Sequence, residues 1–231
     1  STWNGGVWKG GDFNGVWNNG RFAKGTFKGF WRNGVWQGGT FLSGTWENGE
    51  SRAGDWTTGH WHGGKWLGGW WHDGIWYDGE WHGGRWYDGT WRKGTWHNGD
   101  WKTGIWDYGT WVKGSWYGGT WHGGEWKNGF WTGGDWKGGV WNSGIWNGGT
   151  WHGGYWRDGS WFGGTWLNGT WYRGDWAKGT WHNGDWVTGH WFDGEWLGGK
   201  WHGGYVWSTK SASLVKSEVC PPEFYKNEGR V

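Results

Sequence analysis

Residues 81–96 read WHGGRWYDGTWRKGTW: a tryptophan, two variable residues, a glycine, one more variable residue, and then the tryptophan again. From Trp31 to Gly204 this five-residue word runs thirty-five times without a gap, and ragged copies carry it back to Trp3. Self-similarity at a fixed short period decides the architecture before any single residue can. Fidelity differs by position. Glycine fills its slot in all thirty-five units, whereas tryptophan fills its slot in thirty-three and yields to Phe41 and Ser51. Backbone geometry is therefore the stricter demand and ring bulk the second.

The residue before the invariant glycine is itself Gly, Asn or Asp in 24 of the 35 units, as in Asn33-Gly34 and Asp73-Gly74. Such dipeptides supply the positive φ that tight turns need. What remains of each unit is x-Trp-x, a very short strand with the ring on one face and its two neighbours on the other. Those neighbours are mostly Thr, His, Lys, Asp, Glu and Tyr, so they face water and the tryptophan faces inward. A turn every five residues closes a polygon.

Composition agrees. With 57 Gly, 38 Trp and no Met in 231 residues, the chain lies far outside globular usage, and apolar burial has to come from rings worth about 150–250 Å² each. The net charge of +2 is made of interspersed signs, which offers neither a basic stripe for nucleic acid nor an acidic face that mimics it. No apolar run approaches the roughly 20 residues of a membrane span. The single cysteine, Cys220, lies outside the repeats, so the array has no disulfide framework. A start at Ser1 without Met reads as a processed or excised segment. Three zones follow from how well the word is kept: residues 1–30 as irregular N-terminal coils or a cap, 31–205 as the regular array, and 206–231 as a C-terminal cap and flexible tail.

Two registers point to the length of one coil. His62, His82, His122, His182 and His202 share one phase of a 20-residue period, and Thr90, Thr110, Thr150 and Thr170 share another. The expectation is a four-sided coil of about 20 residues. Written in the phase Gly-x-Trp-x-x, the word also resembles the pentapeptide-repeat pattern, with Gly where that family favours Ala and Trp where it favours Leu or Phe. The resemblance implies an all-β, right-handed quadrilateral β-solenoid with ladders of identical side chains inside. Trp is much larger than Leu, so the Gly is expected to make room and the coil to be wider. Strings such as Gly119-Thr-Trp-His-Gly-Gly-Glu-Trp126 are similar in composition to Gly/Trp-rich repeats of bacteriophage tail-fibre and other virion proteins.

Site chemistry is sparse at this level. Carboxylate pairs such as Asp73 with Asp78 or Asp193 with Glu195 are unavoidable by count, and a uniform array provides no cleft to separate their pKa values. The Gly-Gly strings precede no helix pattern and carry no Gly-Lys-Ser/Thr ending. The expectation is no enzymatic activity, no cofactor and no metal. Were a metal held, His62 with His82 and His182 with His202 would be its ligands as neighbours on adjacent coils, although no carboxylate recurs at a fixed offset to complete the set. Of the aromatic residues outside the tryptophan slot, Trp70, Tyr77, Tyr87, Tyr117, Phe162 and Tyr172 are the candidate surface-binding residues. Flat exposed rings beside Asn, Asp and His suit a sugar, and the bland alternative is cross-strand pairing. The functional expectation is a structural rod or spacer of an extracellular or virion, tail-fibre-like appendage, self-associating into a fibre or homo-oligomer and carrying a glycan-binding face, with no nucleic acid and no membrane span. Its rivals are an intracellular (cytoplasmic) pentapeptide-repeat-type protein-binding scaffold and a dedicated lectin.

Overall fold

A computed structural model describes residues 1–227 and 229 of the chain; the end of the expected tail, Glu228, Arg230 and Val231, lies outside the described residues. The chain divides into two units, Ser1–Gly119 and Thr120–Val231. Each is a β-solenoid of stacked coils. Almost every unit of the word is one two-residue strand, such as Glu80–Trp81 or Thr95–Trp96, followed by a three-residue turn. The strands pair in parallel with the coils before and after.

The coil has three sides and fifteen residues, which corrects the four-sided coil of about 20 residues. Trp81 pairs with Trp96 and Trp96 with Trp111 on one side, while Trp76–Trp91–Trp106 and Trp71–Trp86–Trp101 run up the other two. Counting within each unit, the first side holds Trp76, the second Trp81 and the third Trp86. The Thr register dissolves accordingly. Thr90 pairs with Ile105 and Thr110 with Thr95, and Thr150 pairs with Thr165 whereas Thr170 pairs with Tyr155 and Asp185.

Ring geometry explains the number three. Along a side, successive indoles stack nearly parallel, as Trp81 does on Trp96 with centroids 4.7 Å apart and planes 6° apart. Around a coil, each indole meets the next edge to face, Trp76 to Trp81 at 5.9 Å and 74° and Trp81 to Trp86 at 6.0 Å and 73°. Both arrangements suit the aromatic quadrupole. The edge-to-face contacts pass from Trp86 straight on to Trp91 of the next coil, so three rings fill one turn of the interior. Trp61, and every tryptophan in the slot from Trp71 to Trp191, is fully buried.

The backbone is equally regular. His97 N–H donates to Trp81 O at 2.7 Å and Thr95 N–H to Gly79 O at 2.9 Å, so the residues flanking each tryptophan are tied to the coil before. Glycine is demanded twice over at the corner. At Gly99, φ is +126°, and a Cβ would stand 2.6 Å from Gly84 O and 3.2 Å from both Trp81 Nε1 and Trp96 Cζ2. Adjacent corners therefore approach backbone to backbone, which only glycine permits.

The ends depart from this pattern. The first two coils have fourteen residues each, Trp3 pairing with Trp17 and Trp17 with Trp31. There the strands Asp12–Trp17 and Thr26–Trp31 run through the corner without a separate turn. The register shifts to fifteen between Phe27 and Lys28, opposite Leu42. At the other end Val206 takes the inward slot, fully buried, and strand Gly204–Ser208 pairs antiparallel with Ser213–Ser217. Ser217 O accepts the Trp201 indole N–H at 3.1 Å. A short helix, Pro221–Asn227, follows; the sequence reading did not expect it. No helix among the described residues is long and apolar enough to cross a membrane.

Candidate sites on the outer faces

Three sides redistribute the residues that the sequence singled out. His62 lies on the first side and His82 on the second, and His182 and His202 are likewise on different sides, so the two histidine pairs do not form. Three of the four histidines meet other partners instead. His62 stacks on Tyr77 one coil later at 4.6 Å and 6°, and His202 Nε2 lies 3.4 Å from Asp185 Oδ1. His182 is exposed.

His82 stacks on His97 of the next coil, with centroids 4.4 Å apart and planes 8° apart. Its Nε2 is 3.0 Å from Glu80 Oε2, because the residues before and after Trp81 point outward together while the ring between them points in. Glu80, His82 and His97 thus bring one carboxylate and two imidazoles together, with ligand atoms all within 4.8 Å of one another. All three are half-buried. The hydrogen bond from His82 holds the Glu80 carboxyl below the usual range, and Lys65, at 3.7 Å, adds to it. Burial, reinforced by His82, holds His97 below the ordinary imidazole value. A twenty-residue coil hides this set, because it does not make residue n+17 a neighbour of n and n+2. At a fifteen-residue coil the signal is plain: residues n, n+2 and n+17 are neighbours.

The aromatic candidates divide. Tyr77 and Tyr87 are half-buried rather than free. Tyr77 stacks on His62 and lies with its hydroxyl 3.3 Å from His60 Nδ1, and Tyr87 stacks on His72 at 5.2 Å and 4°. Tyr117 carries Lys102 Nζ 3.5 Å above its ring, a cation–π contact. These rings serve cross-coil pairing. Trp70, Phe162 and Tyr172 are exposed, and so is Tyr117 beneath its lysine. Only Tyr172 joins a larger arrangement. It lies 6.5 Å from Tyr155 of the coil before, the planes tilted by 32°, and with Arg157, Arg173 and Val140 the two rings line an open groove of about 710 Å³ on the second unit. Arg157 Nη1 donates to the neutral Asn142 Oδ1 at 3.2 Å, while Arg173 Nε donates to Asp158 Oδ2 at 2.9 Å. Arg173 also borders an adjoining groove with Asp158, Asp175, His190 and Tyr205.

Fold and faces together define a β-solenoid repeat protein: tryptophan-filled, three-sided in cross-section, with variable outward slots. No family model matches the chain, and no curated protein matches it. Solved structures do. A putative acetyltransferase from Desulfovibrio desulfuricans G20 is 5% identical over 83% of this chain and 66% of its own, with a TM-score of 0.16. The polysialic acid O-acetyltransferase OatWY is 5% identical over 93% of this chain and 88% of its own, with a TM-score of 0.12. The polySia-specific acetyltransferase NeuO is 6% identical over 95% and 87%, with a TM-score of 0.09. Each of these three neighbours is an acetyltransferase, which runs against the expectation of no enzymatic activity without establishing an activity for this chain. Likeness at such TM-scores carries no argument for any particular reaction.

Proposed function

We propose that this chain is a structural spacer, its solenoid units stiff segments of an extracellular or virion appendage. The observation that carries this reading is the stacked indole columns. Trp61, Trp76, Trp91 and Trp106 stack at 4.8 Å each, every ring gripped by the coil before and the coil after. Stability that accumulates through nearest-neighbour contacts suits a load-bearing array, and the first coil, whose strands Thr2–Trp3 and Val7–Trp8 pair with the coil that follows, offers an end for self-association. Of the pentapeptide-repeat resemblance, the five-residue side supports kinship and the third-side closure departs from it. Electron microscopy of the purified chain tests the proposal: thin, straight particles that lengthen by end-to-end association are expected, and compact round particles overturn it.

A second reading adds a ligand to the spacer. The Tyr155–Tyr172 groove favours a sugar bearing a carboxylate or sulfate, because it sets two exposed rings beside two guanidiniums, one of them bonded to the neutral amide of Asn142. Rings stack on a pyranose face while arginine pairs with the anion. A glycan array tests it, the chain retaining acidic oligosaccharides over neutral ones and Tyr172→Ala abolishing the signal; equal retention by the variant sinks the reading.

A further inference from the structure

We propose that Glu80, His82 and His97 bind one divalent transition-metal ion, zinc by preference, on the second side of the first unit. Imidazole nitrogen and carboxylate oxygen are zinc ligands, and a set of two histidines and one glutamate leaves a fourth position for water or an external ligand. The three side chains stem from two strands whose register is fixed by the ladder, Glu80 pairing with Thr95 and Trp81 with Trp96. The backbone therefore presents the donors without rearrangement.

The donors are now somewhat too far apart. Zinc–nitrogen bonds of about 2.0–2.1 Å place tetrahedral ligand atoms roughly 3.3 Å from one another, against separations of up to 4.8 Å here. Half-buried outward side chains close that difference by small χ rotations. One neighbour opposes the ion. Lys65 Nζ, 3.7 Å from Glu80 Oε2, supplies the positive charge that a metal would replace, so binding displaces it.

Other histidines in the described residues meet one carboxylate at most in these contacts: His190 with Asp175 at 2.7 Å, His202 with Asp185 at 3.4 Å, and His152 with Asp135 at 3.6 Å beside Lys137. Glu80, His82 and His97 form the one group of three donors found among the described residues. That contrast supplies the controls.

The test is calorimetric titration of the full chain with Zn²⁺, with Co²⁺ as a spectroscopic probe of coordination. One saturable site per chain is expected, with an intense visible Co²⁺ band. His97→Ala and His82→Ala should each weaken Zn²⁺ binding by at least about tenfold, His190→Ala should leave it unchanged, and Lys65→Ala should tighten it. Because these side chains lie on the outer face, far-UV dichroism of the variants should match the parent. Zn²⁺ binding that survives both histidine substitutions, or the absence of any saturable site in the parent, overturns the assignment.

Discussion

Replacing Gly99 with alanine probes the demand on which the whole array rests. The new Cβ would meet Gly84 O at 2.6 Å, at a φ of +126°. That backbone region is nearly closed to side chains and costs on the order of 1–3 kcal/mol. Relief of the clash requires the coils to separate at the very carbonyl that accepts from Asp100 N–H at 3.0 Å, a hydrogen bond worth about 0.5–1.5 kcal/mol. Alanine returns about 0.4–1 kcal/mol by restricting the unfolded chain. The net expectation is a loss of about 2–3 kcal/mol, roughly 30- to 150-fold in an opening equilibrium at 1.4 kcal/mol per decade.

Gly118 provides the internal control. It has no positive φ, and a Cβ there finds its nearest neighbour, Lys102 O, at an ordinary 3.5 Å. Gly118→Ala should therefore be neutral or stabilising by up to about 1 kcal/mol. A repeat array need not unfold in one step, so the assay is amide hydrogen exchange read peptide by peptide, with urea unfolding alongside. Protection across residues 84–100 should collapse in Gly99→Ala and persist in Gly118→Ala. Equal protection in the two variants would refute the claim that corner approach, rather than a general liking for small residues, keeps glycine in its slot.

Four further outcomes follow. In a Cys220→Ser background, Thr95→Cys/Thr110→Cys should form a disulfide, since these residues pair in register, whereas Thr90→Cys/Thr110→Cys should not; the reverse result in non-reducing mass spectrometry would restore the four-sided coil. Trp96→Ala removes a fully buried ring stacked at 4.7 and 4.8 Å on its neighbours and should cost about 3–5 kcal/mol in local exchange or urea unfolding. Arg92→Ala breaks the 2.7 Å pair with Asp107 and should cost no more than about 1 kcal/mol, an effect that shrinks in high salt. In the metal-free chain both Glu80 and His97 titrate below the ordinary values of their groups. A lowered folded pKa means that the unfolded chain binds more protons, so each contribution is present above the ordinary value and is lost as pH falls through the folded one; NMR titration giving a raised His97 pKa would contradict the burial argument.

Inward tryptophans, a turn at every glycine and an all-β solenoid were all legible, because each follows from the local word. The number of sides was not. Each unit has the same chemistry in a triangle as in a square, and the choice lies in how many indoles meet edge to face around the axis. The histidine phase misled because His62 and His82 sit on different sides. A better signal was present in the charges, where Lys65/Glu80, Arg85/Asp100, Arg92/Asp107, Asp78/Lys93 and Asp158/Arg173 are opposite pairs fifteen apart that face each other in space. Charge complementarity records coil length better than identity, since stacked like charges repel whereas any polar residue tolerates water.

Fifteen-residue coils also give the surface a grammar. Residues n, n+2, n+15 and n+17 form the four corners of one outward patch, tied to the backbone by the ladder bonds on either side of a buried indole. Glu80, His82, Thr95 and His97 occupy those corners in the first unit, and Tyr155, Arg157, Thr170 and Tyr172 occupy them in the second. A donor cluster and the Tyr155, Arg157 and Tyr172 part of an aromatic–arginine groove thus arise from the same four slots by substitution. None of the four carries the fold: the corner glycines fix the path and the rings fill it, as Ser51 shows by sitting buried in a tryptophan slot at the cost of a small gap beside Trp36 and Trp66. A scaffold whose stability lies wholly in two positions of five leaves the other outward slots free to take on chemistry, and binding residues belong at offsets of two, fifteen and seventeen.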